Sequence, residues 1–141
     1  MGVSAASITQ RLRFAYIGGS SLLLLWVALA VFVAGLALRW WAIAVLGRLF
    51  VSDLAILSGH RIVDAGPYRL VRHPSYSGLL VCFTGVGLAM HSWLSLVCLL
   101  LPITGAVIHR IGVEERMLEA KFGAEYREYR GRTSRLVPGV F

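Results

Sequence analysis

FAYIGGSSLLLLWVALAVFVAGLAL, residues Phe14–Leu38, is a run of 25 residues without a charged side chain. As a helix it would be about 38 Å long at ~1.5 Å per residue, which is enough to cross a hydrocarbon core of about 30 Å. A signal peptide is the alternative, because Arg11 and Arg13 precede the run. The apolar part of a signal peptide is shorter, about 7–15 residues, and this run leads directly into a charged, tryptophan-rich anchor at residues 39–41. We therefore predict a retained first membrane span.

A second charge-free stretch, Ser75–His109, is 35 residues long, which is too long for one comfortable span. Its most polar interior point is residues 90–93, MHSW. We predict two short spanning helices, 75–90 and 93–110, joined by a tight turn. The segment Trp40–Leu57 is also apolar, but it carries two charged side chains. We interpret it as a continuation of the first helix followed by an interfacial segment.

The composition agrees with a membrane protein. Hydrophobic residues make up 57% of the 141 residues and charged residues 15%, against about 45–50% and about 25% in soluble domains. These proportions exclude a disordered chain, a small disulfide-stapled secreted protein and most water-soluble enzymes. The net charge of +7 is compatible with nucleic-acid binding, but in so apolar a chain it is more typical of basic loops on the cytoplasmic side of a membrane. We expect membrane lipids, and no nucleic acid, as partners.

The positions of the basic residues predict the orientation of the spans. Two precede the first span, none lies in the turn between the second and third, and twelve lie in the central loop or at and after the end of the third span. These twelve are Arg39, Arg48, Arg61, Arg69, Arg72, Arg110, Arg116, Lys121, Arg127, Arg130, Arg132 and Arg135. The prediction is an all-α, multi-pass integral membrane protein of one domain, residues 1–141, with about three transmembrane helices and its N-terminus outside. The first span (14–38) is followed by a cytoplasmic loop (39–74), a helical hairpin of two spans (75–110), and a cytoplasmic C-terminal helix and tail (111–141).

The C-terminal region is polar and helix-forming. Between Glu114 and Arg130, apolar or aromatic side chains recur at i, i+4, i+8 and i+11 and form one stripe. The stripe consists of Leu118, Phe122, Tyr126 and Tyr129. Gly123 interrupts this helix at a cost of up to ~1 kcal/mol relative to Ala, so we predict a kink or a close contact there. The amphipathic helix could lie on the membrane surface or fold back to close a site between the helices.

Several common chemistries are missing from the sequence. Cys82 and Cys98 have no CxxC or histidine partner, and we interpret them as packing residues rather than ligands or a disulfide. Gly85-Val86-Gly87 is a G-x-G without a third glycine and favours helix packing over a dinucleotide loop. No spacing of histidines and carboxylates resembles a metal site, so we expect no metal.

The informative polar residues lie in two places on the predicted cytoplasmic side. The first is residues 60–78, HRIVDAGPYRLVRHPSYSG, in which Pro74 suits the first turn of the next helix and His73 lies just outside it. Free backbone N–H groups at that helix start could bind a carboxylate. The second place is Arg110 and Glu114, which are four residues apart and therefore share a face of the third helix. An interfacial aromatic belt and a solvated ion pair are the simpler alternatives for these two places.

The same two places carry a family resemblance. The residues concerned are Gly66-Pro67-Tyr68, Arg72-His73-Pro74-Ser75-Tyr76-x-Gly78 and Arg110-x3-Glu114-Glu115-x2-Leu118-x3-Phe122-Gly123-x2-Tyr126-x2-Tyr129. In this order they resemble the isoprenylcysteine carboxyl methyltransferase family of membrane methyltransferases, to which phospholipid N-methyltransferases are related. The run Leu38-Arg39-x2-Ala42-x3-Leu46-Gly47-Arg48-Leu49-Phe50 is similar to the upstream part of many bacterial members. The resemblance covers about residues 36–139, and family members usually have more membrane helices before this core than the single one here.

The resemblance implies a cytoplasmic site for S-adenosyl-L-methionine, with S-adenosyl-L-homocysteine as the product. The positions that match the family's cofactor-binding residues are His60, Arg61, Ile62, Val63, Tyr68, His73, Pro74, Ser75, Tyr76 and Glu114. Arg110 matches a position that faces the methyl acceptor, and Arg110, Glu114 and Glu115 form the predicted catalytic set. The chemistry agrees with these roles. Glu114 can neutralise the ammonium of the cofactor's amino-acid part, and His73, Tyr76 and the helix start can bind its carboxylate.

Methyl transfer from a sulfonium is an in-line displacement that depends on positioning and on exclusion of water. A carboxylate or thiolate acceptor needs no general base, whereas an amine or phenol needs one, for which Glu115 or His60 is the available group. The leading hypothesis is a membrane-embedded methyltransferase for a lipophilic acceptor, with an isoprenylcysteine-type carboxylate favoured. A phospholipid or small-thiol methyltransferase, a sterol-reductase-like enzyme and a non-catalytic membrane adaptor stay open as alternatives. Because three spans enclose little volume, we also expect a homo-oligomer, with the first helix and small residues such as those at 18–21 and 85–87 at the contact.

Overall fold

The computed structural model describes Ile17 and residues 21–47 and 62–140 of the chain. This part forms four α-helices and one 3₁₀ turn: α1 (Ser21–Leu46), the 3₁₀ turn (Gly66–Arg69), α2 (Pro74–Ala89), α3 (Trp93–Phe122) and α4 (Ala124–Arg132). An isolated parallel β-bridge joins Val71 and Ser134. The all-helical class that the sequence predicts is confirmed for the described residues.

Two of these helices are long and apolar enough to cross a membrane, Leu22–Leu46 in α1 and Trp93–Phe122 in α3. The helix between them, α2, is also apolar, but its 16 residues rise only about 24 Å, less than the ~30 Å of a hydrocarbon core. The outward side chains of α1 are large and apolar: Leu22 is 65% exposed and Trp26 is 62% exposed. A helix surface of this kind is suited to lipid rather than to water.

The first helix ends at Leu46, beyond the boundary at Leu38 that the charge pattern predicts. Arg39 can remain inside the helix because its guanidinium is held by α2: Nη1 donates to the carbonyl oxygen of Ser75 (3.2 Å) and to its hydroxyl oxygen (3.1 Å). The predicted continuation of the first helix is thus present as far as Leu46. Residues 48–57, predicted as an interfacial segment, lie outside the described residues.

The two breaks that the sequence predicts in the C-terminal half are both present. Residues 90–92 turn the chain between α2 and α3, with a positive φ of 52° at His91. Gly123, also with φ 52°, separates α3 from α4, and a positive φ is readily adopted by glycine because it has no Cβ. Between these breaks α3 is one continuous helix of 30 residues. The boundary predicted at residue 110 is therefore not a helix end.

The first two helices pack closely through glycines. A Cβ atom added at Gly78 would lie 2.7 Å from the carbonyl oxygen of Gly35, and one added at Gly85 would lie 2.7 Å from the backbone of α1. On the other side of α2, Gly87 faces Leu96 of α3. The packing role predicted for Gly85-x-Gly87 is therefore confirmed, and its contacts lie within one chain.

Both cysteines are free. Cys82 is buried in the α1–α2 contact, with its sulfur 3.5 Å from the carbonyl oxygen of Phe32. This agrees with the packing role predicted for it. The side chain of Cys98 is exposed on the outer face of α3.

The C-terminal end of the chain returns to the helices. Leu136 is buried with Val107 and Ile111 of α3, and Tyr76 and Leu79 of α2 pack against them. This small core brings together the start of α2, the middle of α3 and the end of the chain. Most of the predicted site residues lie on those first two segments.

Candidate functional site

The first turn of α2 forms one wall of the site. Pro74 occupies the first helical position, where its missing N–H costs nothing, and its side chain is fully buried. The carbonyl oxygen of His73 accepts hydrogen bonds from the backbone N–H groups of Tyr76 (3.0 Å) and Ser77 (3.1 Å). The bond from Ser77 is the ordinary first bond of the helix, whereas the N–H of Tyr76 is one of those predicted to be free for a carboxylate and is already used. The rings of His73 and Tyr76 lie close together, with their centroids 5.9 Å apart.

The opposite wall is α3, and one hydrogen-bonded group joins it to α2. The Tyr76 hydroxyl donates to Oε1 of Glu114 (2.5 Å), and Arg110 Nε donates both to the Tyr76 oxygen (2.7 Å) and to Glu114 Oε1 (2.9 Å). We call these three residues the polar rim. The Arg110 side chain is 57% exposed and that of Glu114 is 19% exposed. The rim thus presents a guanidinium and a carboxylate at an accessible surface.

The next residue of α3, Glu115, faces the interior instead. Its carboxylate lies 3.0 Å from Arg72 Nε and 2.9 Å from Arg135 Nη2. We call these three residues the ionic cluster. Glu115 and Arg72 are almost fully buried, whereas Arg135 is 37% exposed. A buried carboxylate is tolerated only when its charge is balanced in this way. The burial of Glu115 in this fold therefore depends on the two arginines of the ionic cluster.

His73 lies between the two glutamates. Its Nδ1 is 3.6 Å from Glu114 Oε2, and its Nε2 is 3.6 Å from Glu115 Oε1. Both distances exceed those of a hydrogen bond. The imidazole is buried, and Nε2 has no hydrogen-bond partner among the described residues. A buried polar atom of this kind is normally satisfied by a ligand or an ordered water.

Two tyrosines of α4 pack beneath the site. The Tyr129 hydroxyl donates to the backbone carbonyl of Tyr68 (2.8 Å), a predicted cofactor-binding residue that is buried in the 3₁₀ turn. Burial raises the pKa of Tyr126 to about 12 and raises the pKa of Tyr129 as well, so both hydroxyls stay protonated near neutral pH. The predicted aromatic stripe therefore packs onto its own chain at these two positions, which favours a helix that closes the site.

The other predicted cofactor-binding residues are less central. Ser75 is buried, and its hydroxyl accepts from Arg39 of α1. Ile62 and Val63 are half-buried in the segment before the 3₁₀ turn. Outside the described residues lie His60 and Arg61. Within the described part of the chain, no group of three or more His, Cys, Asp or Glu side chains is placed to hold a metal ion.

The structure thus brings together five predicted residues from α2 and α3: His73, Tyr76, Arg110, Glu114 and Glu115. Sequence reasoning missed two arginines that hold predicted site residues: Arg39 of α1 contacts Ser75, and Arg135 near the chain end contacts Glu115. Each makes its contact across a long sequence separation, 36 residues for Arg39 and 20 for Arg135. Spacing rules for helices operate over three or four residues, so no local pattern could have identified either arginine.

The sequence model of the isoprenylcysteine carboxyl methyltransferase (ICMT) family matches residues 26–120. This range includes most of α1, all of α2, the polar rim and Glu115. The chain belongs to this family. The family resemblance inferred from the sequence motifs is therefore confirmed.

Individual ICMT-family relatives agree. A "Probable protein-S-isoprenylcysteine O-methyltransferase" of Oryza sativa subsp. indica is 35% identical over 106 residues, which cover 74% of this chain and 56% of the relative. "Methanethiol S-methyltransferase 1" of Bradyrhizobium diazoefficiens is 29% identical over 126 residues, covering 78% of this chain and 42% of the relative.

A solved structure, that of the eukaryotic intramembrane Ras methyltransferase ICMT, matches with a TM-score of 0.72 at 29% identity. The match covers 83% of this chain and 43% of the solved chain. The chain therefore spans about half the length of the ICMT-family proteins that it matches.

Proposed function

We propose that this protein is a membrane-embedded, S-adenosyl-L-methionine-dependent methyltransferase that acts on a lipophilic acceptor, with an isoprenylcysteine-type carboxylate favoured. One observation carries the proposal: the polar rim of Tyr76, Arg110 and Glu114, with His73 beside it, lies inside the region that matches the ICMT family. The relatives described above are named methyltransferases.

The residues present fit the amino-acid part of this cofactor. An ammonium needs an anionic acceptor, and the partly exposed carboxylate of Glu114 supplies one. A carboxylate needs donors, and the buried Nε2 of His73 is a candidate at the same helix start. The Tyr76 hydroxyl donates to Glu114 and orients its carboxylate. When bound, the cofactor would supply an electrophilic methyl group on its sulfonium. The chain would hold it with His73, Tyr76 and Glu114.

Arg110 is suited to the acceptor. Its Nε is used within the rim, and its side chain is exposed beyond that contact. The terminal nitrogens of a guanidinium bind a carboxylate in a fixed, fork-like geometry. Holding an anionic acceptor in line and excluding water are then the chain's main contributions to the rate.

The environment of Glu115 supports an acceptor that is already anionic. A general base for an amine or phenol must reach the proton that it removes. Glu115 is buried, and Arg72 and Arg135 occupy both of its oxygens. We therefore assign Glu115 to the scaffold rather than to proton transfer. The other candidate base, His60, lies outside the described residues. A thiolate acceptor satisfies the same condition, and the similarity to a methanethiol S-methyltransferase supports a small-thiol methyltransferase as the second candidate.

For the membrane arrangement, we propose three spans, with the N-terminus outside and the polar rim, α4 and the chain end on the cytoplasmic side. The twelve-to-two distribution of basic residues supports this orientation, and a short α2 can be accommodated by local thinning of the bilayer. Reporter fusions at Met1 and Phe141 should then report opposite sides of the membrane. Fusions that report the same side would require an even number of crossings.

We also propose a homodimer or higher oligomer. Three spans enclose little volume in which to shield a lipophilic acceptor, and polar groups left facing lipid are costly. Since Gly85 and Gly87 already pack within the chain, we assign the contact between subunits to the outer face of α1. Cysteines placed along residues 14–38 should crosslink between subunits in intact membranes, and an active, strictly monomeric protein would refute this arrangement.

Binding of S-adenosyl-L-homocysteine to the purified chain tests the proposed function. Isothermal titration in mild detergent should show binding to the wild type. Binding of NADPH instead would indicate a sterol-reductase-like enzyme, and binding of neither would indicate a non-catalytic adaptor.

The Glu114→Ala variant tests the predicted site. Affinity should fall by about 1.5–3 kcal/mol, or roughly tenfold to 100-fold, because the cofactor's ammonium loses its charged hydrogen-bond partner. Glu128→Ala is the matched control, since Glu128 is exposed on α4. Equal affinities of the two variants would remove Glu114 from the site.

A further inference from the structure

The residues that follow α4 run back along the entry to α2. We call Thr133–Val137 the C-terminal strap. Its backbone pairs with the chain before α2: the carbonyl oxygen of Ser134 accepts from Arg72 N (2.8 Å), and Ser134 N donates to the carbonyl oxygen of Leu70 (3.0 Å). The carbonyl oxygen of Arg135 accepts from His73 N (3.1 Å). The backbone of His73 is therefore fixed by the strap.

Side chains anchor the strap on both sides of this pairing. The Ser77 hydroxyl donates to the carbonyl oxygen of Leu136 (2.6 Å), and the Leu136 side chain is buried against α3. Arg72 Nη1 donates to the carbonyl oxygens of Thr133 and Arg130, at the end of α4. The strap is thus held in one register relative to the first turn of α2.

Arg135 also connects the strap to the ring of His73. Its Nη2 and Nε lie 2.9 Å and 3.1 Å from Glu115 Oε2, and Nε also lies 3.3 Å from Oε1. Arg72 Nε lies 3.0 Å from the other oxygen, Oε1, which is also the oxygen 3.6 Å from His73 Nε2. The two arginines thus hold the Glu115 carboxylate through both of its oxygens, with Oε1 beside the imidazole.

We propose that Arg135 is a positioning residue of the methyl-transfer site, acting on His73 through Glu115 and through the strap backbone. The inference rests on the proposed function, in which His73 contacts the cofactor. Without Arg135, the carboxylate is free to turn toward Arg72, its remaining cation, and the ring of His73 loses its fixed neighbour. Displacement of about 1 Å at a site of this kind costs up to 100-fold in rate.

The position of His73 can be read without any ligand. The chain has four histidines, and the ring resonances of His73 in detergent-solubilised full-length protein can be assigned by their loss in His73→Gln. In Arg135→Ala these resonances should move, because the carboxylate beside the ring changes orientation. Arg132→Ala is the matched control: Arg132 is three residues away and pairs with Asp64 at the surface (2.9 Å), so the His73 resonances should stay in place.

Titration with S-adenosyl-L-homocysteine is the second readout. Arg135→Ala should raise the dissociation constant, because the His73 ring that contacts the cofactor is displaced, with Arg132→Ala close to wild type. Arg135→Lys keeps the positive charge but loses the planar, fork-shaped guanidinium. It should therefore give a smaller increase in the dissociation constant. If Arg135→Ala does not fold, the same two measurements are made on Arg135→Lys.

The outcomes separate the two claims. A lower melting temperature of Arg135→Ala with unmoved His73 resonances and unchanged affinity would show that Arg135 is merely structural, and would overturn the inference. A wild-type chain that does not bind S-adenosyl-L-homocysteine would refute the proposed function and, with it, any role of Arg135 in methyl transfer. If the wild-type chain binds S-adenosyl-L-homocysteine but the His73 resonances do not move in Arg135→Ala, only the role of Arg135 is refuted.

Discussion

Replacing Glu115 by glutamine should be among the most destabilising conservative changes in this protein. Glutamine has nearly the size of glutamate, so no cavity forms, but the negative charge between Arg72 and Arg135 is lost. Removing one partner of a buried ion pair costs about 3–5 kcal/mol because the other charge stays buried and unpaired. Arg72 is 8% exposed and meets this condition. The contribution of Arg135 is smaller, since water screens a side chain that is 37% exposed.

Glu119→Gln is a matched control for this prediction. Glu119 is on the same helix, four residues further along, but its pairs with Arg127 (3.8 Å) and Arg130 (3.5 Å) are exposed. Exposed pairs contribute about 0–1 kcal/mol. The free energy of unfolding, measured by denaturant titration in mild detergent, should therefore fall several-fold more for Glu115→Gln than for Glu119→Gln. Equal and small losses would show that the ionic cluster does not carry the stability assigned to it.

Two further pairs of variants can be compared by unfolding in the same detergent. Tyr129→Phe should lower the free energy of unfolding by about 1–3 kcal/mol because the buried carbonyl of Tyr68 loses its donor. Tyr126→Phe should be neutral or stabilising, since the Tyr126 hydroxyl has no partner among the described residues. The opposite ranking would refute this account. Burial raises the pKa of Tyr126 from 10.0 to about 12, so between these pH values the unfolded chain ionises this hydroxyl before the folded chain does. Raising the pH from 10 to 12 should therefore destabilise the wild type more than Tyr126→Phe. Gly78→Ala should weaken the α1–α2 contact, where backbone lies 2.7 Å from the added carbon, and Gly105→Ala, with nothing within 4 Å, should be tolerated or slightly stabilising.

The parts of the fold that follow from local chemistry were predictable. The turn at residues 90–92 and the break at Gly123 both follow from polar or glycine residues that interrupt helical sequence. The continuation of α1 past the predicted end of the first span was also predicted, but the contact of Arg39 with Ser75 of α2 was not. A charged side chain marks the point where a helix leaves the membrane only if the charge has no partner. Arg39 has a partner in Ser75.

The same distinction applies to the site. The four-residue spacing of Arg110 and Glu114 is a local signal, and the structure confirms that these two side chains contact each other. The contact of Arg135 with Glu115 depends on the helix break at Gly123 and on the return of the strap to the start of α2. Helical periodicity carries no information about such a return. The sequence therefore predicts the polar rim better than the ionic cluster behind it.

The two adjacent glutamates of α3 explain how the rim and the cluster are coupled. Consecutive residues of an α-helix point about 100° apart, so Glu114 meets Tyr76 and Arg110 while Glu115 meets the two arginines of the cluster. The imidazole of His73 lies 3.6 Å from both carboxylates. A change in the scaffold that turns Glu115 must therefore act on His73 and, through it, on the rim. Stability and cofactor affinity should consequently change together in variants of the cluster, whereas variants of the rim should change affinity with little loss of stability.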